Sequence, residues 1–193
     1  MKMIAICVAL VLTPLSALAD SFCEDLWFTR NALADRGGYC FSSTLGRAVF
    51  DNDGCTGSTS ALAANDRAVV SRIVELEAEA QCAVDTEAQG LDLPDLPWRR
   101  TMIDLPVADG AESGCLGWRG GRALLHAGAG AFSRVTGSIE PGDVIISAHE
   151  AIESNAGGRW IYVTVHPRTA AADPVSAGWT DEAIFSDCSS VAG

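Results

Sequence analysis

Three histidines, His126, His149 and His166, are the side chains best suited to carry a proton near neutral pH. An enzyme built on one of them also needs a nucleophile and a group that orients the base. Neither is present in a recognisable pattern. Each histidine stands alone on a predicted strand or loop, and His149-Glu150 is not followed by a second histidine four residues after the first. No Gly-x-Ser-x-Gly turn, phosphate loop or dinucleotide fingerprint occurs. Paired carboxylates are numerous, but so acidic a chain acquires them by chance. The expectation is a protein that is not an enzyme, with no catalytic residue and no cofactor.

The cysteines point to structure instead of reactivity. There are seven. Cys7 lies in an N-terminal segment with the marks of an export signal: Lys2, an apolar run from Met3 to Leu12, and Ala17-Leu18-Ala19, a small-x-small pattern that signal peptidase accepts. Residues 1–19 are therefore read as a signal peptide cleaved after Ala19, which makes the protein periplasmic or secreted. Cys7 sits at the front of the apolar run and lacks the preceding small residue of a lipidation site. The remaining Cys23, Cys40, Cys55, Cys82, Cys115 and Cys188 are an even set in an exported chain, so disulfides are the default, with fifteen possible connectivities. No CxxC occurs and no cysteine pair is matched to a histidine pair at zinc-finger spacing, so no metal is expected.

Charge narrows the partners. The 25 acidic residues against 13 basic ones give a net charge of −12, one unit more negative once Lys2, the single lysine, leaves with the signal. Binding DNA or RNA through counterion release needs clustered cations, which excludes nucleic acid, and the same charge opposes docking on anionic lipid. No stretch is long and apolar enough for a membrane span. About 174 residues remain for one domain or two small ones.

The elements that must position these residues change character along the chain. Residues 20–90 read as a helical domain. Ser21-Phe22-Cys23-Glu24 fits a capping box, and Cys23, Leu26, Trp27, Arg30, Leu33 and Ala34 share a face of the helix behind it. Gly37-Gly38 ends that helix, Ser43-Thr44 starts a shorter one, and Asp51-Asn52-Asp53-Gly54 breaks it. The last motif matches half of a calcium loop, but Leu62 stands where the loop's final glutamate belongs, so it is read as a turn. Leu62, Val69, Val70, Ile73, Leu76 and Ala80 form the stripe of a third helix ending near Cys82. Antiparallel packing of the first and third helices pairs Cys23 with Cys82, and Cys40 pairs with Cys55 across the short helix. Residues 91–114 are interrupted by Pro94, Pro97 and Pro106 and read as an extended connector, docked through Trp98.

From Cys115 the pattern becomes short strands between glycines. Five are expected: Ala123 to His126, Ser133 to Thr136, Asp143 to Ser147, Trp160 to Val165, and one near Ile184-Phe185. Five strands in about 70 residues fit a small barrel over 115–188, followed by a tail, 189–193. Its first and last strands lie close, which pairs Cys115 with Cys188; a bridge closing so long a loop stabilises by roughly 4 kcal/mol in the chain-entropy model. The fold class expected is α+β.

Two segments resemble known families. Arg30, Asn31, Arg36, Gly38, Tyr39 and Phe41 match the signature of the YARHG domain, a bacterial extracellular helical module, although Ala34, Asp35 and Gly37 stand at its eponymous Tyr, Ala and His positions. The run from Cys23-Glu24-Asp25-Leu26-Trp27 through Leu93 to Arg100 also resembles exported bacterial proteins carrying domains of unknown function. The second segment, Leu124 to Ile184, is similar to bacterial SH3 (SH3b) domains in the order His126-Ala127-Gly128, Gly137, Pro141-Gly142-Asp143, Trp160-Ile161-Tyr162-Val163 and Gly178-Trp179, with an insertion at 169–176. That resemblance implies an SH3-like five-stranded β-barrel that binds peptides without catalysis, and it places His126 on the barrel surface. Trp160, Tyr162 and Trp179 then have two readings, as barrel core or as the lining of a groove for an extended peptide. Arg30 and Asn31 are read as a structural pair bracing the Gly37-Gly38 turn. The functional expectation is an envelope binding or scaffolding protein whose partner is an envelope protein or a peptidoglycan peptide; the alternative is a periplasmic hydrolase or hydrolase inhibitor acting on the cell wall.

Overall fold

The computed structural model describes residues 16–154 and 157–193, so the body of the expected signal peptide, residues 1–15, lies outside the described residues. The fold is α+β: a helical N-terminal part against an eight-stranded antiparallel sheet, with three disulfides.

Helix α1 (Ser16–Arg36) is the centre of the helical layer. Apolar residues on more than one of its faces bury it on more than one side. Trp27, Phe28, Ala32 and Leu33 pack with Phe41, Leu45 and Phe50, while Leu26 packs with Ile73, Leu76 and Val107. The helix continues upstream of Ser21, so Ser21 and Glu24 lie inside it and not at its start, where the capping box was expected. Glu24 Oε2 accepts the Asp92 amide, at 2.6 Å. The chain leaves α1 through Gly38, whose φ of +83° is a left-handed conformation that glycine adopts without steric cost. Helix α2 (Thr44–Val49) is capped by Ser43, whose Oγ accepts the Gly46 amide at 3.1 Å. Helix α3 (Ala64–Glu79) runs antiparallel to α1, as the Cys23–Cys82 disulfide near one end and the Arg30–Glu77 ion pair at 3.0 Å show. Cys40–Cys55 spans α2 and the turn after it.

The connector is not extended throughout. Leu96–Arg99 forms a single helical turn, α4, because Pro97 lies in its first turn, where a missing amide costs no hydrogen bond. The sheet also begins earlier than expected, inside the segment read as connector. Its strands are β1 (Ala108–Trp118), β2 (Ala123–His126), β3 (Val135–Ile139), β4 (Val144–His149), β5 (Ile152–Glu153), β6 (Arg159–His166), β7 (Ser176–Asp181) and β8 (Cys188–Ala192). The hydrogen-bonded order is β3-β2-β7-β6-β4-β1-β8, with β5 pairing β6, and the path is not closed. An open eight-stranded sheet thus stands where five strands closing a barrel were expected. Ile184-Phe185 is not a strand. It lies in a 3₁₀ helix (Glu182–Asp187), started by the Asp181 side chain accepting the Ala183 amide. Residues 189–192, read as tail, belong to β8, which pairs with β1 and carries Cys188 to Cys115.

Two features of the sheet position everything that follows. Its β6 strand alternates perfectly: Ile161, Val163 and Val165 point into one core with Leu125, Ile139 and Ile145. Trp160 and Tyr162 point to the other face, into a core shared with the helical layer. The second feature is a wide bulge. Ala108 pairs with His149 but Ser113 pairs with Ser147, so residues 109–112 of β1 stand opposite Ala148 alone, and Gly110 takes a φ of +77°.

Candidate functional site

The helical layer and the sheet meet at a buried cluster of polar side chains. Asp25 comes from α1, Asp95 from the turn before α4, Arg99 from the end of α4, His149 from the end of β4 and Tyr162 from the middle of β6. Arg99 is 1% exposed. Its Nη1 donates to Asp25 Oδ1 at 2.6 Å and its Nη2 to Asp25 Oδ2, while its Nε donates to Asp95 Oδ2 at 2.7 Å. Tyr162 Oη donates to the same Asp95 oxygen at 2.9 Å. His149 Nε2 lies 2.9 Å from Asp25 Oδ2 and also meets Arg99 Nη2. The Arg99 guanidinium carbon is 5.7 Å from the centre of the Tyr162 ring, and the His149 ring sits edge-on to that ring at 5.1 Å. A buried guanidinium with two carboxylates, each hydrogen-bonded, is the arrangement that offsets desolvation.

Burial by itself would raise the Asp25 pKa, but the Arg99 charge, the His149 ring and the hydrogen bonds from both outweigh it and hold the carboxyl well below its ordinary value of 3.8. Burial opposes the Arg99 charge, and Asp25 and Asp95 overcome it, so Arg99 stays a cation throughout the accessible range. Burial, reinforced by the Asp95 carboxylate, pushes the Tyr162 hydroxyl well above its ordinary value. A depressed carboxyl pKa stabilises the folded state at pH above its unfolded value, and that contribution is lost as pH falls. The melting temperature should therefore drop as pH is lowered from 3.8, and Asp25→Asn, less stable at neutral pH, should show a flatter acid limb. A pH series of thermal melts on both proteins checks this.

The bulge in β1 leaves a cleft on each side of the network. One, of about 450 Å³, lies between α1, the connector and the bulge and is lined by Phe22, Asp25, Leu93 and Glu112 among others. The second, of about 240 Å³, lies between the bulge, the end of β4 and the 3₁₀ helix, and His149 lines it. Chemically, the cluster is an ionic lock with one titratable ring on its edge. A proton-transfer role for His149 would need a reacting group at its second nitrogen, and Nδ1 has no hydrogen-bond partner among the described residues.

The aromatic residues expected to line a groove lie on neighbouring strands, but under the helical layer. Tyr162 and Trp179 are fully buried and Trp160 is 9% exposed. Trp179 Nε1 donates to the Asp104 carbonyl at 2.8 Å, which ties β7 to the connector. Of the two readings of these residues, the geometry is that of core. The close approach of Gly178 to β2 fits this packing, since a Cβ there would meet Thr136 Oγ1 and lie 2.9 Å from the His126 carbonyl. His126 is not on the surface either. It is buried edge-on against Trp160, with Nδ1 2.9 Å from the Ser133 carbonyl oxygen. His166 is likewise buried between Thr164 and the Ala172 carbonyl. Arg30 and Asn31 do not brace the Gly37-Gly38 turn: Arg30 pairs with Glu77 of α3, and Asn31 Nδ2 donates to the Trp27 carbonyl. The polar network itself escaped the sequence reading. Its one available signal was Asp95 and Arg99, four residues apart inside an apolar, proline-rich run.

Fold and site together define an α+β protein of two layers, disulfide-stapled and locked by a buried guanidinium. The chain belongs to the family described as Domain of unknown function (DUF4453), whose profile matches residues 81–193. Residues 5–78 match the YARHG domain. Comparison with curated proteins and with solved structures found no match. No helix among the described residues is long and apolar enough to cross a membrane.

Proposed function

We propose that this is an exported, non-enzymatic binding or scaffolding protein of the bacterial envelope, taking a peptide or cell-wall component as ligand. Export is supported by three disulfides, by the YARHG match and by the N-terminal leader pattern. The observation that carries the binding role is the β1 bulge. It opens two clefts at the junction of helices and sheet, and bulges of this kind re-aim side chains beside binding sites. The SH3-like kinship of the sheet is part of this proposal, supported by the order of the Pro141-Gly142 turn, the Trp160–Val163 strand and Gly178-Trp179 along the chain. In that frame Trp160, Tyr162 and Trp179 form the rigid floor that the helical layer covers, and a ligand enters at the bulge beside them.

Pulldown with peptidoglycan and with periplasmic extract tests the proposal. Retention of the full chain on one of them, with loss of retention in an Ala111→Trp variant that fills the clefts at the bulge, is the expected result. Turnover of wall fragments by the purified protein would replace the binding reading with the hydrolase one.

A further inference from the structure

His149, one of the residues that line the smaller cleft, carries a buried ring nitrogen without a partner among the described residues. His149 is 9% exposed, and its Nε2 is occupied by Asp25 and Arg99. If Nε2 accepts from Arg99, the ring proton resides on Nδ1. If the ring is an imidazolium donating to Asp25, Nδ1 carries a proton as well. In both states Nδ1 is a donor without an acceptor; in the remaining tautomer, with Nε2–H donating to Asp25, it is a bare acceptor, and a bound carboxylate selects the states that carry the Nδ1 proton. His149 lines the cleft together with Asp109, Ser113, Ser147, Arg159 and Glu182. The two carboxylates stand on different elements. Asp109, exposed on the bulge, accepts one hydrogen bond, from the Ala111 amide at 2.9 Å, and keeps acceptor capacity. Glu182, at the start of the 3₁₀ helix, meets Arg159 Nη1 at 3.4 Å. Among the described residues no three His, Cys, Asp or Glu side chains are grouped to hold a metal ion, so these acids are too dispersed for a cation cage.

We infer that this cleft binds a small zwitterion of the amino-acid or dipeptide class, whose carboxylate or carbonyl oxygen accepts from His149 Nδ1 and whose ammonium group lies against Asp109 and Glu182. The inference rests on the binding reading above and names the ligand class for one of its two clefts. Two parts of such a ligand match what the cleft offers: an acceptor answers the orphaned Nδ1, and a cation answers the carboxylates of Asp109 and Glu182. The volume, about 240 Å³, suits a ligand of one or two residues and excludes a folded partner.

The test is a titration of the full-length mature protein, ¹⁵N-labelled at histidine, followed through the His149 ring nitrogens. The probes are alanine and alanyl-alanine, with N-acetylalanine, alaninamide and acetate as controls that lack one charge. The expected result is a saturable shift of the His149 Nδ1 resonance by the two zwitterions, with each control about tenfold weaker or more. Asp109→Asn, at an exposed position, should weaken binding about tenfold while leaving the melting temperature unchanged. No His149 shift at millimolar zwitterion, or equal shifts from acetate and alanine, overturns the inference. Peptidoglycan retention that persists alongside such a failure would leave the binding reading standing, whereas loss of both would remove the two together.

Discussion

Arg99→Met should cost about 3–5 kcal/mol of folding stability, because it strands the Asp25 and Asp95 carboxylates in a dry interface without a cation. The size of the effect comes from what remains, not from the lost attraction alone. Both carboxylates are nearly inaccessible, with side chains 11% and 7% exposed, so they gain little hydration when the guanidinium is lost. Adding Asp25→Asn and Asp95→Asn to Arg99→Met removes the uncompensated charge and should restore most of the loss. Denaturant unfolding of the single and triple variants checks both statements. A loss below about 1 kcal/mol in the single variant would mean the cluster is solvated like a surface pair.

Trp179→Ala should be comparably severe, at about 3–5 kcal/mol, by leaving a cavity in a fully buried site. Its location gives the variant a second signature. The Trp179 ring packs edge-on to Tyr162 at 5.8 Å, lies in the core shared with Trp27, Phe28 and Phe50 of the helical layer, and bonds the connector through Asp104. The loss should therefore appear in both layers, although residue 179 is on a strand. Trp179→Phe, which keeps most of the ring volume and gives up the bond to Asp104, should lose less than half as much. Equilibrium unfolding read by far-UV circular dichroism and by tryptophan fluorescence measures the three proteins on one scale.

The legibility of the fold followed the range of the interactions that made it. Helix ends set by local chemistry, such as the Gly38 turn and the Ser43 cap, are written in a few adjacent residues, and so is the alternation of β6. The antiparallel pairing that brings Cys23 to Cys82 follows from helix length alone. What escaped was set by distant partners. Ala108 and Gly114 read as connector because small residues carry no strand pattern; they are strand because β4 pairs with them. Residues 184–185 looked like a strand because Ile and Phe favour one, but the Asp181 cap immediately before them turns the chain into a helix. The burial of Tyr162 and Trp179 was open at the level of sequence, since a groove and a core ask for the same residues. Only the position of α1 and the connector over the sheet distinguishes them. The network of Asp25, Asp95, Arg99, His149 and Tyr162 draws its members from five places between residues 25 and 162, and no local pattern brings them together.

The YARHG-matching helices and the DUF4453 sheet, joined by the shared core and the Arg99 lock, are expected to open as one cooperative unit. Native-state hydrogen exchange on the full chain tests it most directly. The most protected amides of α1, at Leu26 to Phe28, and of β6, at Tyr162 to Val165, should open with the same free energy, and Trp179→Ala should lower both by the same amount. Slow exchange in β6 that survives while α1 opens freely, in the wild type or in the variant, would contradict it.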